Sequence, residues 1–578
     1  MKKDGKKRSH IDSSLFLGGL NSFIAKISKA IADSAVFSSL RNAGDKLLSE
    51  NSGAFAKLNA LFKKANSPIL SAKRAVARQF TESRFLGALQ RIKETLFSIP
   101  LRSYGIILFF FGAYGVAFSA ADCYNSGKWY FEDPNLIASL IIVLVSVFFF
   151  FSAKPLIVLL CESSTFSSLL DNVVCVRTDE IRVEEKSQRI SNFALMIGSL
   201  LGILTAAVPT LEILKYIGLA VFVLCLWRSP EFGLNVLILL FPFLKESELA
   251  VLAIGTFSSY FIKLIRGKRV LTKGFMGILP VLVGAIAIIR YFISPNGSPA
   301  DFSLILSIPL VYIVAFNLLR SKKLLRTASD MVCISFYLFI GARLIYCILE
   351  YMGYTGLFKL SFSENLTTPS LLAEYTMLCM GFALYALTKT TRFSRRAVLE
   401  TLISIGLTVI VAMGDLRLTA CCIIAVLLFV ILSRSERTLF SIPFIFLLPI
   451  AYTVYPNSIF KNIAGVLTVS NSAISPLYGT DLMYIFGVGG IGLILLLAFF
   501  LLSMGFKLHS KEQRDAEERG IFAAVSSSLI TYACYCVLTG METHHASALF
   551  LAAAAAIAAA LGNRGMEKEA ADRFREVM

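Results

Sequence analysis

The sequence predicts an all-α, polytopic integral membrane protein with about 14–16 transmembrane or re-entrant helices. Three observations carry that prediction. The 578 residues are 56% hydrophobic, more apolar surface than so few polar groups would cover in water. Long stretches nearly free of charge recur between residues 102 and 562. The connections between them alternate in charge, and that alternation sets their sidedness.

Residues 1–101 form the first region. They hold 18 Lys/Arg against 7 Asp/Glu, a large share of the formal net charge of +18. Leu20, Phe23, Ile24, Ile27 and Ile31 recur at intervals of three and four, as do Val76, Phe80, Leu86, Leu89, Ile92 and Leu96. Such stripes flanked by Lys and Arg read as interfacial amphipathic helices on the anionic cytoplasmic leaflet; a weakly ordered basic tail is the other reading. No cleavable leader is expected after MKKDGKKRSH, because no short apolar core with a small-residue cleavage site follows it. The segment after Arg102 is the expected insertion signal.

Residues 102–190 read as two membrane helices and a cytoplasmic loop, 191–562 as the main membrane domain, and 563–578 as a cytoplasmic tail. Apolar segments fall at 102–121, 136–153, 191–209, 211–227, 232–244, 249–265, 274–293 and 303–319. They continue at 330–350, 369–388, 397–413, 417–432, 438–454, 482–506, 518–540 and 546–562. Several are shorter than the ~20 residues a span requires, so two or three are expected to be re-entrant or merged. With a cytoplasmic N-terminus, the inner connections are 154–190, Arg228, RGKRVLTK (266–273), RSKKLLR (320–326), Lys389–Arg396, SRSER (433–437), KLHSKEQRDAEER (507–519) and the tail. Each is basic or contains a basic cluster. The outer connections, 122–135, 245–248, 294–302, 351–368, 414–416, 455–481 and 541–545, carry scattered charges of both signs.

The same composition narrows the function. A basic protein suggests nucleic acid, but no aromatic-interleaved platform or recognition helix accompanies the charge, and no nucleic-acid partner is expected. Most of the 11 Cys lie inside apolar runs, with Cys123 placed in an outer loop. That pattern supports neither a disulfide framework nor a metal site. His10, His509, His544 and His545 are too scattered for a multi-histidine cluster. No cofactor is implied.

Charges inside apolar segments need a cavity or a partner, because exposing one to lipid costs from about 2.5 kcal/mol upward. Those charges are few. Arg343 lies in GARLIYCILEY, Glu374 in LLAEY, and Asp415 and Arg417 in GDLRLT at the outer end of a helix pair. Lys359 lies in the outer loop between the helices of Arg343 and Glu374. Cations grouped on one side suit a pyrophosphate, whose oxygens a guanidinium fork binds bidentately, and neutralising a departing pyrophosphate would assist group transfer. A proton acceptor would come from His544 or His545 in METHHAS, beside Glu542; adjacent residues do not share a helix face, so one at most would serve. Asp481 and Tyr478 are weaker candidates. The plainer alternatives stand beside these: Asp415 and Arg417 satisfying each other, Arg343 snorkelling along its stem, Glu374 bonding within the bundle.

TTPSLLAEYTMLCMGFALYAL (367–387), with Pro369, Leu372, Ala373, Glu374 and Tyr375 in place, resembles a signature of the O-antigen ligase and O-antigen polymerase family of membrane proteins. GDLRLTACCIIAVLLFVILSRSER (414–437) is similar to that family's arginine-bearing helix and basic turn, with Arg417 at the functional arginine. SPEFGLNVLILLFPFL (229–244), PLRSYGIILFFFGAYG (100–115) and TGMETHHASALFLAAA (539–554) resemble its other segments. Thr368 and Ser370 replace the usual Asn residues, and the long outer segment that follows a stretch like SNSAIS (470–475) is shortened.

The resemblance implies a metal-free glycosyltransferase of the bacterial cytoplasmic membrane, both termini cytoplasmic. It would take a glycan from an undecaprenyl-pyrophosphate-linked donor at the outer face and join it to a glycan or other cell-envelope acceptor. Arg343 and Arg417, with His544 or His545, would be its catalytic groups, and Lys359, Glu374, Asp415 and Glu542 its substrate-binding groups. Two alternatives remain open: a shortened, non-catalytic paralogue acting as a membrane scaffold, and a lipid-linked sugar transporter.

Overall fold

A computed structural model describes residues 99–127, 133–151, 189–265, 299–351, 369–412, 416–433, 436–454, 516–539, 549–550 and 552–561, with isolated positions that include Lys154 and Arg269. The expected amphipathic region, the apolar segments 274–293 and 482–506 and the tail 563–578, expected to be cytoplasmic, lie outside the described residues. The described chain is all-helical, with fourteen helices. In order they are α1 (Leu101–Ser126), α2 (Pro134–Phe150), α3 (Arg189–Leu204), α4 (Thr210–Arg228), α5 (Pro230–Leu240), α6 (Glu246–Ile265) and α7 (Pro299–Leu318). There follow α8 (Lys322–Tyr351), α9 (Pro369–Lys389), α10 (Phe393–Ala412), α11 (Leu416–Ser433), α12 (Glu436–Val454), α13 (Ala516–Thr539) and α14 (Ala552–Leu561). Helices α1, α4, α6 and α8 are long and apolar enough to cross a membrane. The chain is a multi-pass membrane protein.

Helix ends depart from the expected segments in one consistent way. The RSKKLLR stretch, read as a connection, supplies the first turns of α8; Glu246 and Glu248 open α6, and Phe393–Arg396 open α10. Lys, Arg and Glu are good helix formers, so a helix continues past the apolar run into the polar interface. Cys123, expected in a loop, is a buried residue near the end of α1. Its helix stops at Gly127, whose φ of +64° closes a left-handed cap that glycine adopts without strain. Asp133 caps α2 by accepting from the Asn135 N–H, with Pro134 in the first turn, where a missing N–H costs nothing.

The chain divides into two units, and the division falls within α5 and α6. One unit contains Ser67–Gly233 and Ser259–Arg269. Here α1 packs on α2 and α3 through small residues. Gly198 and Gly202 sit one turn apart on α3; a Cβ at Gly198 would stand 2.9 Å from the Ile107 Cα, and one at Gly202 would enter the Tyr114 ring. That spacing brings backbones together where the surrounding lipid is as apolar as leucine, so packing rather than hydrophobicity drives the contact. Ser139 Oγ donates to Thr210 Oγ1 at 3.0 Å, tying α2 to the start of α4. Most of α4 faces outward, with Tyr216, Leu219, Val221 and Val223 exposed; an apolar face this continuous needs lipid around it.

The other unit contains Leu234–Ser258 and residues from Val270 onward. Its central element is α9, where every residue from Glu374 to Tyr385 is buried, as suits a helix surrounded by protein. Helix α9 packs against α8, α10, α11 and α13. Gly381 meets the Ala524 carbonyl and Ser527, and Gly520 meets the Tyr385 ring, so α9 and α13 approach closely. Phe241, Phe339, Tyr375, Phe382 and Phe550 form a chain of edge-to-face rings at centroid distances of 5.4–6.1 Å, a favoured geometry for aromatic pairs.

Candidate functional site

Helix α8 runs antiparallel to α9, and three contacts fix their register. Asp330 meets Lys389, the Cys333 thiol donates to the Phe382 carbonyl at 3.0 Å, and Phe339 faces Tyr375 at 5.4 Å. One turn further along each helix come Arg343 and Leu371. Glu374 lies within that turn, so Arg343 and Glu374 share a depth to within about 5 Å. Each is 2% exposed. Arg343 stands thirteen residues beyond Asp330, about 20 Å along the helix axis. If Asp330 marks one boundary of a hydrocarbon core about 30 Å thick, Arg343 lies some 10 Å short of the opposite one.

Two opposite charges enclosed at one level on neighbouring helices can offset each other's desolvation, which for a single buried ion amounts to several kcal/mol. The Arg343 guanidinium also lies 6.0 Å from the centre of the Tyr346 ring, at the outer margin of a cation–π contact. On the inner side of this level, Ser335 Oγ and the Tyr375 hydroxyl are 2.7 Å apart, and Ser335 Oγ donates to the Leu239 carbonyl at 2.8 Å. Further in, the Phe339, Tyr375 and Phe550 rings pack edge to face. The arrangement offers a charged level near one face above an aromatic floor.

Arg417 has different surroundings: it is exposed, in the first turn of α11. Among the described residues, Arg343 and Glu374 are thus brought to one level, while Arg417 lies at a helix end. Lys359, Asp415, Glu542, His544 and His545 lie outside the described residues, as do Tyr478 and Asp481.

Two ionic sites were not singled out by the sequence. In the second unit, Lys389 Nζ reaches Asp330 at 2.7 Å and Glu517 at 3.3 Å, and Arg326 Nε reaches Glu517 at 3.0 Å. Lys389 also lies 4.6 Å above the Tyr385 ring. Three helix ends, the first turns of α8 and α13 and the last of α9, therefore meet at one end of the bundle. In the other unit Glu231, 4% exposed, pairs with Arg269 and, at 3.7 Å, with Lys263. Its other oxygen contact is the Ser229 hydroxyl, a donor at 3.0 Å, and the same Ser229 oxygen accepts from the Phe232 N–H at the start of α5. Ser-Pro-Glu is a helix-start pattern, and a lone acid at the mouth of an apolar run, as Asp330 is, signals a partner. Neither pattern identifies the partner.

No protein-family model matches the chain, and no curated protein or solved structure matches it.

Proposed function

We propose that this protein transfers or polymerises a glycan from an undecaprenyl-pyrophosphate-linked donor at the outer face of the bacterial cytoplasmic membrane, both its termini being cytoplasmic. The observation that carries the reading is Arg343: an arginine 2% exposed inside a membrane helix, level with a buried Glu374. An arginine keeps its charge in such a site and presents a fork that matches phosphate oxygens. In this reading Arg343 steadies the diphosphate as its charge develops, Glu374 orients the guanidinium, and Arg417 at the helix end receives the donor. His544 or His545 takes the acceptor hydroxyl proton, while Lys359, Asp415 and Glu542 complete the binding surface.

The test is reconstitution with a lipid-pyrophosphate oligosaccharide and candidate acceptors. Replacing Arg343 by Lys retains the charge and loses the fork, with an expected fall in turnover of about 10²-fold, as for loss of one preorganised donor. Arg417→Ala should weaken donor binding. Undiminished product from both variants would refute the mechanism. The exposure of Arg417, set against the enclosure of Arg343, favours a second reading: a non-catalytic scaffold that retains the membrane architecture. Under it no donor is consumed by the unaltered protein, and Arg343→Leu disturbs only stability. A lipid-linked sugar transporter, the third alternative, would move donor across sealed vesicles without cleaving it.

A further inference from the structure

The turn between α9 and α10 carries four cations within eight residues, Lys389, Arg392, Arg395 and Arg396, and the structure divides them into two pairs. Lys389 turns inward to Asp330 and Glu517. Arg396 turns inward as well, its Nε on Glu400 at 2.9 Å and its terminal nitrogen on Ser441 Oγ at 2.8 Å. Asp330, Glu400 and Glu517 thus lie against Lys389, Arg396 and Arg326. Arg392 and Arg395 instead stay exposed. Between them stands Phe393, 86% exposed, more than any other large apolar side chain described.

The position of this group in the bilayer follows from its helix. Val398 is 59% exposed, and Thr401 one turn deeper is exposed too. Residues three apart share a helix face, so Arg395 sits one turn above a lipid-facing stripe. The ionic meeting of Asp330, Lys389 and Glu517 marks the polar boundary at the same end of the bundle. A guanidinium placed there is at the level of head-group phosphates, and an aromatic ring beside it is at the level that amphipathic rings prefer.

We infer that Arg392, Phe393 and Arg395 form a binding site for the phosphate of an anionic phospholipid in the leaflet that faces this end, with Phe393 lying among the upper acyl carbons. Charge complementarity selects the occupant: two exposed arginines and an exposed ring suit a lipid that is anionic and has a tail. A soluble phosphate would leave the ring in water. The inference rests on the membrane placement of α9 and α10 and is independent of the glycan-transfer reading, since its measurement involves neither donor nor acceptor.

The test uses the full chain in proteoliposomes, with Trp129 and Trp227 replaced by Phe and Phe393→Trp introduced as the sole indole. Brominated phosphatidylglycerol diluted into phosphatidylcholine should quench that indole more than brominated phosphatidylcholine at the same mole fraction. Local enrichment of roughly fivefold per arginine is expected for cations at an anionic surface. Arg392→Gln with Arg395→Gln should abolish the difference while leaving quenching by phosphatidylcholine unchanged. Equal quenching by the two lipids, or selectivity that survives loss of both arginines, overturns the inference. Mass spectrometry of the protein with Phe393 intact gives an independent reading: phosphatidylglycerol should co-purify with it and be lost with the two arginines. Equal retention by both forms counts against the site.

Discussion

A single methyl group at Gly198 should loosen the α1–α3 contact, whereas one at Gly218 should strengthen its unit. At Gly198 the new carbon would lie 2.9 Å from the Ile107 Cα and 3.0 Å from its carbonyl oxygen. Carbon atoms rest at about 3.5–4.0 Å, so two backbones, which cannot swing aside as a side chain does, must part by about 0.6 Å or more. Overpacking of this kind costs roughly 1–3 kcal/mol. At Gly218, on outward-facing α4, nothing lies within 4 Å, and exchanging glycine for alanine in a helix gains up to about 1 kcal/mol. The unfolding midpoint of this unit should fall by about 2–12 °C for Gly198→Ala and rise by a few degrees for Gly218→Ala, at roughly 2–4 °C per kcal/mol. The reporter is Cys123, buried at 2% exposure on α1, whose alkylation by a membrane-permeant maleimide along a temperature ramp is read by peptide mass spectrometry. A Gly198→Ala midpoint at or above that of the unaltered protein would refute the close backbone approach.

Tyr375→Phe removes the 2.7 Å partner of Ser335, which retains the Leu239 carbonyl; a loss of about 1 kcal/mol should appear as earlier alkylation of buried Cys422. A double-mutant cycle between Asp330→Asn and Lys389→Met should give a coupling of at most about 1 kcal/mol, because both partners are partly exposed, at 42% and 27%; a larger value would mean the pair is shielded in the membrane. Glu231→Gln releases Arg269 and Lys263, so trypsin should cut after Arg269 faster in inverted membrane vesicles. Cutting in right-side-out vesicles instead would reverse the proposed orientation.

The helices were legible because charge and apolarity are local. The run 211–227 corresponds to Thr210–Arg228 and 397–413 to Phe393–Ala412, and a proline at the helix start often marks why the helix begins before its apolar run does, as at Pro134, Pro230 and Pro299. The ends were misread where Lys322, Glu246 and Arg395 continue a helix into the interface, since the polarity that marks a connection in sequence is also what a protruding turn carries. Within the candidate site, the unusual character of Arg343 and Glu374 was visible as charge within apolar sequence. Their common depth was not, because it depends on the α8–α9 register, set by pairs such as Cys333 with Phe382. Glu231, Asp330 and Glu517 were passed over for the same reason: Glu517 and Tyr385 are 132 positions apart, and no local pattern links them.

Helix α8 has 30 residues and so extends about 45 Å, against a hydrocarbon layer of about 30 Å. Its surplus emerges on the side where Arg326, Asp330, Lys389 and Glu517 interlock. These side chains act as a depth gauge. A thicker bilayer would draw them into oil, and a thinner one would strand the lipid-facing stripe of α10 in water, so the protein should resist both by tilting or by deforming nearby lipid. Membranes of matched thickness should therefore retain it preferentially.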